Sequence, residues 1–363
     1  MAKKRISVSQ TIFLQIIFVI STTDIFIPAI IARQAGRDGW ISVIIATIIT
    51  IFSSFIWLSL ASKFPNETLP EYLPKIFGQP IGKFLGILYT FFFIYNNALI
   101  SREFGALMSV AFLPLTPIVV LIAAISVVSI YAAFEDIEVI ARTNETLFPI
   151  GILLLLIVTL FTSRYMKFDN FLPVLENGIK PPSLGTITVY SCMGECSIIL
   201  YLYPFINNKD KAKRGMMITI TLLGVSFLLG ALVIAIFGAE FTADLMIPTL
   251  EMVQVIDLAN FIQRLDAIIM SIWVGGIFIK LALYFYLAAL TLKYVLNVKS
   301  YKAFLIPLAG ITIPLSVLSF ENVTEVVIFL EKILPFFFLT QEVLLPLIFL
   351  IVSVIKKPYK QRR

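Results

Sequence analysis

The sequence predicts an all-α integral membrane protein of about ten transmembrane helices, built as one domain over residues 1–363 from an inverted five-plus-five repeat whose first and sixth helices are interrupted. Three observations predict it. The chain is 59% hydrophobic and 14% charged, with a mean hydropathy of +0.98, which leaves too little polar surface for a soluble domain of 363 residues. Its apolar residues fall in runs long enough for a hydrocarbon core of about 30 Å, which takes about 20 helical residues. Polar kernels interrupt two of those runs, about half a chain apart.

A spanning segment must satisfy its own backbone hydrogen bonds, so only helices or a closed barrel are available. The runs do not alternate in polarity, which selects helices. Expected spans are 8–32, 40–62, 83–113, 117–134, 145–163, 185–206, 215–238, 261–293, 301–319 and 333–355. The opening Lys3-Lys4-Arg5 before an apolar run resembles a signal peptide. That run is too long for a signal sequence and lacks a small-residue cleavage site, so it reads as the first retained helix.

Charge placement sets the orientation. With the N-terminus inside, 19 of the 28 Lys and Arg residues fall on the cytoplasmic side and 6 outside, with Arg102, Arg264 and Lys280 in or at the ends of spans. This bias predicts cytoplasmic N- and C-termini and an even helix count. The net charge of +6 comes from these short clusters and not from a basic face, so it does not point to nucleic acid. Two external connections are long. One runs from Arg164 to Gly185 and is rich in proline; the other, Glu240 to Asn260, reads equally as a short helix over the entrance or as a solvated loop.

The first span carries Ser21-Thr22-Thr23-Asp24 and then Pro28; the sixth carries Cys192-Met193-Gly194-Glu195-Cys196 and then Pro204. The kernels lie about 170 residues apart, and five helices per half give the second half (about 180–363) inverted topology relative to the first (about 1–165). Matched interrupted helices mark the ligand site in many secondary transporters. Half-helix N-termini offer N–H groups to an anion, and unwound carbonyls hold a cation or ammonium. The plain alternative is a proline kink in an ordinary span.

An ionisable side chain at mid-bilayer costs roughly 2.5–3.5 kcal/mol on insertion scales. Asp24, Arg102, Glu103, Glu195 and Lys280 therefore must face a wet cavity or one another. Glu195, beside Gly194, is the leading candidate for ligand contact, followed by Asp24. Tyr95, Asn96 and Asn97 are candidates on the third span, where adjacent Arg102 and Glu103 point about 100° apart and suit a structural network. Lys280, mid-way along the eighth span, is expected either to stand as a fixed cation where related architectures hold sodium or to pair with Asp24 or Glu195. Arg264 and Asp266 fall at the external end of that span. Trp40 and Trp273 read as packing or interfacial anchors, Gly275-Gly276 as a close helix approach, and Cys192 and Cys196 as small apolar fillers.

With no histidine and two cysteines, a Cys/His metal site and a disulfide framework are ruled out. No P-loop, Gly-rich dinucleotide turn or His-based triad is present, so an enzyme, an ATP-driven pump and a cofactor are not expected.

Ile6-Ser7-Val8-Ser9-Gln10, Asp38-Gly39-Trp40-Ile41, Phe171-Leu172-Pro173-Val174-Leu175-Glu176-Asn177-Gly178, Gly194-Glu195 through Leu200-Tyr201-Leu202-Tyr203-Pro204, Pro248-Thr249-Leu250, and Gln263-Arg264-Leu265-Asp266-Ala267 through Ile272-Trp273 together resemble the B subunit of bacterial spore germinant receptors, the GerAB-like spore germination proteins. The resemblance covers essentially the whole chain and implies the amino acid/polyamine/organocation transporter superfamily with its LeuT-like fold. It further implies a sensor of a nutrient, typically an amino acid and sometimes a sugar or nucleoside, in the spore inner membrane, assembled with an A subunit and a lipoprotein C subunit. Ligand contacts carry over to Ser21, Thr22 and Thr23 and to Met193, Gly194 and Glu195. Ser21-Thr22-Thr23 stands where the superfamily often has Gly-x-Gly, and the following Asp24 disfavours a bare anion. A solute permease, coupled to protons through Glu195, and an ion- or water-conducting channel subunit are the competing expectations.

Overall fold

Ser7 starts the first helix with a reciprocal cap: its hydroxyl accepts from Gln10 N–H at 3.0 Å, and Gln10 Oε1 accepts from Ser7 N–H at 2.8 Å. In the computed structural model, which describes residues 5–255 and 266–356, α1 (Val8–Ala35) and α2 (Gly39–Lys63) are joined by one 3-10 turn. A short α3 (Leu69–Phe77), absent from the expected spans, precedes α4 (Gln79–Ala111), α5 (Ile118–Glu135) and α6 (Ile137–Thr162). The sixth span consists of α7 (Lys180–Gly194), a 3-10 turn, α8 (Ile199–Leu202) and a second 3-10 turn.

Next come α9 (Ala212–Ala231) and α10 (Val233–Phe237), then two loop helices, α11 (Ala239–Asp244) and α12 (Pro248–Gln254). The Glu240 connection is thus helical over much of its described length, and Leu250 and Val253 are buried. The last part comprises α13 (Asp266–Val295), α14 (Leu305–Leu318), α15 (Val323–Lys332), α16 (Leu334–Leu339) and α17 (Leu345–Ile355), with a π-helical turn at Thr340–Leu344.

Among the described residues, eight stretches are long and apolar enough to cross a membrane, or nine if the pair Lys302–Leu318 and Val323–Lys332, bent by 100°, is one span. The first, Val8–Lys63, has 56 residues, about 84 Å of helix, far more than a core of about 30 Å needs. It contains both α1 and α2, which is where this count and the expected ten diverge. Ile48, Phe52, Phe84, Phe91, Val127 and Leu160 point outward, while Asn96, Glu103, Glu195, Lys280 and Glu342 are buried. An apolar exterior around a polar interior is the distribution of a multi-pass membrane protein.

The expected interruption of the first helix is not present: α1 is continuous through Ser21–Asp24. Pro28 lacks an N–H, so the Asp24 carbonyl loses its helical donor. The Thr249 hydroxyl, from α12, donates to that carbonyl at 2.6 Å. Thr23 folds its hydroxyl back onto the Val19 carbonyl at 3.2 Å. With the lost bond replaced from outside, the helix has no need to unwind.

Candidate functional site

The sixth span changes pitch where the site lies. α7 ends at Gly194 and the chain tightens to 3-10 over Glu195–Ile198. A Cβ at Gly194 would stand 2.6 Å from Glu342 Oε2, so any larger residue would push that carboxylate aside. The Gln15 side chain, from α1, donates to the Cys196 carbonyl at 3.0 Å and holds the turn.

The tightened turn aims Glu195 at α13. There Lys280 and Tyr284 lie four residues apart and share a face. Lys280 Nζ is 2.8 Å from Glu195 Oε2, and Tyr284 donates to Glu195 Oε1 at 3.2 Å. Lys280 also donates to Thr22 Oγ1 at 3.0 Å and sits 5.3 Å from the Phe18 ring centre. Lysine and glutamate are 1% and 3% exposed, so removing either partner would strand a buried charge. One turn before Lys280, a Cβ at Gly276 would come within 2.9 Å of Ser21 Cβ. That close contact of α1 with α13 brings Lys280 within reach of Thr22.

A cavity opens beside the pair, lined by Thr22, Thr23, Asn96, Glu103, Glu195 and Lys280, with Cys192 and apolar residues of α15 and α16 completing the wall. Its free volume is about 30 Å³. Asn96 donates to the Phe92 carbonyl at 2.7 Å, while its own Oδ1, fully buried, has no partner among the described residues. The lining thus offers one ammonium, two carboxylates, two hydroxyls and a free amide oxygen.

Thr22, Thr23, Asn96, Glu195 and Lys280 come together in this lining, as the sequence pattern suggested, and Gly194 is adjacent. The others lie outside it. Asp24 turns to the opposite side of α1, into a separate cavity with Pro28, Phe227 and Gly230, so it is not the partner of Lys280. Ser21 is packed against Gly276. Tyr95 stacks on Phe91, lies tilted against Phe329 and meets Phe337 edge-on. Asn97 donates to the Leu281 carbonyl at 3.1 Å, tying α4 to α13, and Met193 faces Thr47.

Arg102 follows the structural expectation, donating to the Glu321 carbonyl at 3.0 Å, but Glu103 does not, because it lines the cavity. Arg264 and the side chain of Asp266 lie outside the described residues. Sequence reasoning missed Glu342 and Tyr284. Glu342 carried a usable signal, an acid within the apolar stretch Leu334–Ile355; Tyr284 carried only its spacing from Lys280.

The fold defines a multi-pass helical membrane protein of the LeuT-like fold class. The chain covers 98% of its length, and 90% of the other, on the structure of MhsT in complex with L-phenylalanine, at a TM-score of 0.68 and 12% identity. It covers 91%, and 75% of the other, on Mhp1, a nucleobase-cation-symport-1 family transporter, at 0.62 and 15%. The chain belongs to the spore germination protein family, whose sequence model matches residues 5–326. It is 30% identical over 370 residues to spore germination protein KB of Bacillus subtilis (strain 168), covering 100% of this chain and 98% of that one. It is 28% identical over 269 residues to spore germination protein XB of Bacillus anthracis, covering 72% and 74%.

Proposed function

We propose that this chain is the germinant-sensing transmembrane subunit, the B subunit, of a spore nutrient germinant receptor. It resides in the spore inner membrane with both termini on the core side and works in complex with A and C subunits. A small nutrient, an amino acid or similar solute, binds at mid-membrane between the first, third, sixth and eighth spans. The inverted repeat of residues 1–165 and 180–363 belongs to this reading, because the ligand site of such repeats lies at their junction.

The observation that carries it is the buried Lys280–Glu195 pair, held at the tightened turn of the sixth span and facing a cavity shared with Thr22 and Asn96. Glu103 and the unpartnered Asn96 oxygen stand beside the Lys280–Glu195 pair as further acceptors, which favours a guest that brings an ammonium group and disfavours a bare anion. The cavity admits little more than water at its present width, so a nutrient must part the walls to enter. Occupancy and wall position are then linked, and a ligand that prefers the parted form shifts the equilibrium toward it. MhsT, with the same fold, has been solved with L-phenylalanine bound, which supports a small organic guest.

The test is Glu195→Gln in the assembled receptor, with a direct binding screen against amino acids, sugars and nucleosides. The variant is expected to accumulate normally while its nutrient response is lost or shifted. A normal dose response would overturn the assignment. A second reading, a permease, is favoured by the likeness to Mhp1, a transporter. Saturable uptake by the isolated protein in vesicles would select it, and conductance without saturable uptake would select a channel.

A further inference from the structure

Glu342 approaches the tightened turn of the sixth span from the other side of Gly194. It rides on the π-helical turn Thr340–Leu344, just before Pro346. That proline cannot donate to the Glu342 carbonyl. Trp57 donates to it instead at 2.7 Å, and Tyr89 donates to the Gln341 carbonyl at 2.7 Å. Two side chains from other helices therefore fix the turn and the direction of the acid.

The carboxylate so placed is 3% exposed, and its Oε2 has no hydrogen-bond partner among the described residues. The buried ammonium nearby, Lys280, bonds to Glu195 and Thr22. Next to Glu342 is a cavity distinct from the nutrient cavity, walled mainly by the rings of Phe18, Tyr89, Phe93, Tyr201 and Tyr284, with Ser197 and apolar side chains closing the rest. Its rings form a connected box: Phe18–Tyr284 4.7 Å, Phe93–Tyr284 6.1 Å, Phe93–Tyr201 5.1 Å and Tyr89–Tyr201 6.3 Å between centres. About 10 Å³ admits the centre of a water-sized sphere, which is room for one atom-sized guest and too little for an organic nutrient.

Ring faces and a carboxylate both attract positive charge. Rings cannot replace the tightly held water of a small cation, so the box suits a larger, weakly hydrated one. We propose that this box is a second binding site, holding a single monovalent cation of potassium's size between the Glu342 carboxylate and the aromatic walls. Tyr284 belongs to both sites, its hydroxyl on Glu195 and its ring in the box, so cation occupancy bears on the nutrient cavity through one side chain.

The test uses purified full-length protein in lipid nanodiscs, without nutrient, and rubidium-86 as the probe. One saturable site per chain is expected, with sodium competing at least about tenfold more weakly than unlabelled rubidium. Glu342→Gln should remove the site. Phe93→Leu keeps the acid and should weaken rubidium binding several-fold, so the proposal stays testable if the first variant does not accumulate. Absence of saturable rubidium binding to the wild-type protein, unchanged affinity in either variant, or equal competition by sodium would overturn it. Because no nutrient is present, failure here leaves the sensing assignment untouched, and a failed nutrient response leaves this site untouched.

Discussion

The Thr249 hydroxyl donates to the main-chain carbonyl of Asp24 at 2.6 Å, the acceptor that Pro28 deprives of its helical donor. A loop helix is thereby stitched into the middle of the first span. Thr249→Val is expected to leave that carbonyl unsatisfied and to cost about 1–3 kcal/mol of stability. Pro28→Ala restores the internal donor, so the double variant should recover most of the loss. Thermal unfolding of the four proteins in detergent measures the coupling, and additive effects would show that the bond carries no weight.

Lys280 and Glu195 form the second such dependence. Lys280→Met strands a buried carboxylate and is expected to destabilise by about 3–5 kcal/mol, by analogy with other buried pairs that lose one partner. Adding Glu195→Gln removes the stranded charge and should restore most of the stability while leaving the nutrient response abolished. Stability and response then separate, which a purely structural pair would not allow.

Gly276 packs closely against α1 at Ser21 and Ile17. A methyl group there would meet Ser21 Cβ at 2.9 Å, an atom that cannot move without its helix backbone. Gly276→Ala should cost about 1–3 kcal/mol through overpacking. It should also weaken nutrient binding, because parting these helices draws Lys280 away from Thr22. Equilibrium binding to the variant complex checks both effects.

Lys280 lines the cavity proposed for the nutrient and brings the chain's own amino group to it. Nutrient binding is therefore expected to need no sodium and to persist when sodium is replaced by a large organic cation, with potassium held constant. Sodium-dependent affinity in the wild-type receptor would contradict this role.

Much of this arrangement is legible in the residues, and the exceptions have physical causes. Charged groups inside apolar runs announce a polar interior, and Glu195 beside Gly194 marks where the sixth span tightens to 3-10 without being interrupted. Asp24 looks equivalent in sequence, yet it faces away, because only rotation about a helix axis, invisible without partners, decides which side a residue takes. The uninterrupted first helix was beyond sequence reasoning for a related reason: the donor that repairs it lies 225 residues further on. Glu103, assigned to a structural network from its adjacency to Arg102, lines the cavity because the 100° between neighbours sends the two apart. Glu342 was within reach of the same burial rule that singled out the other acids.

Before α1 begins, Ile6 donates to the Phe205 carbonyl at 2.8 Å and accepts from Asn207 N–H at 3.0 Å. The lead-in to the first span and the tail of the sixth are thus clasped by main-chain bonds that no side-chain substitution removes. Whatever rearrangement starts at Glu195 arrives at that end as a joint displacement of both segments, so the two spans pivot like paired levers on a common pin.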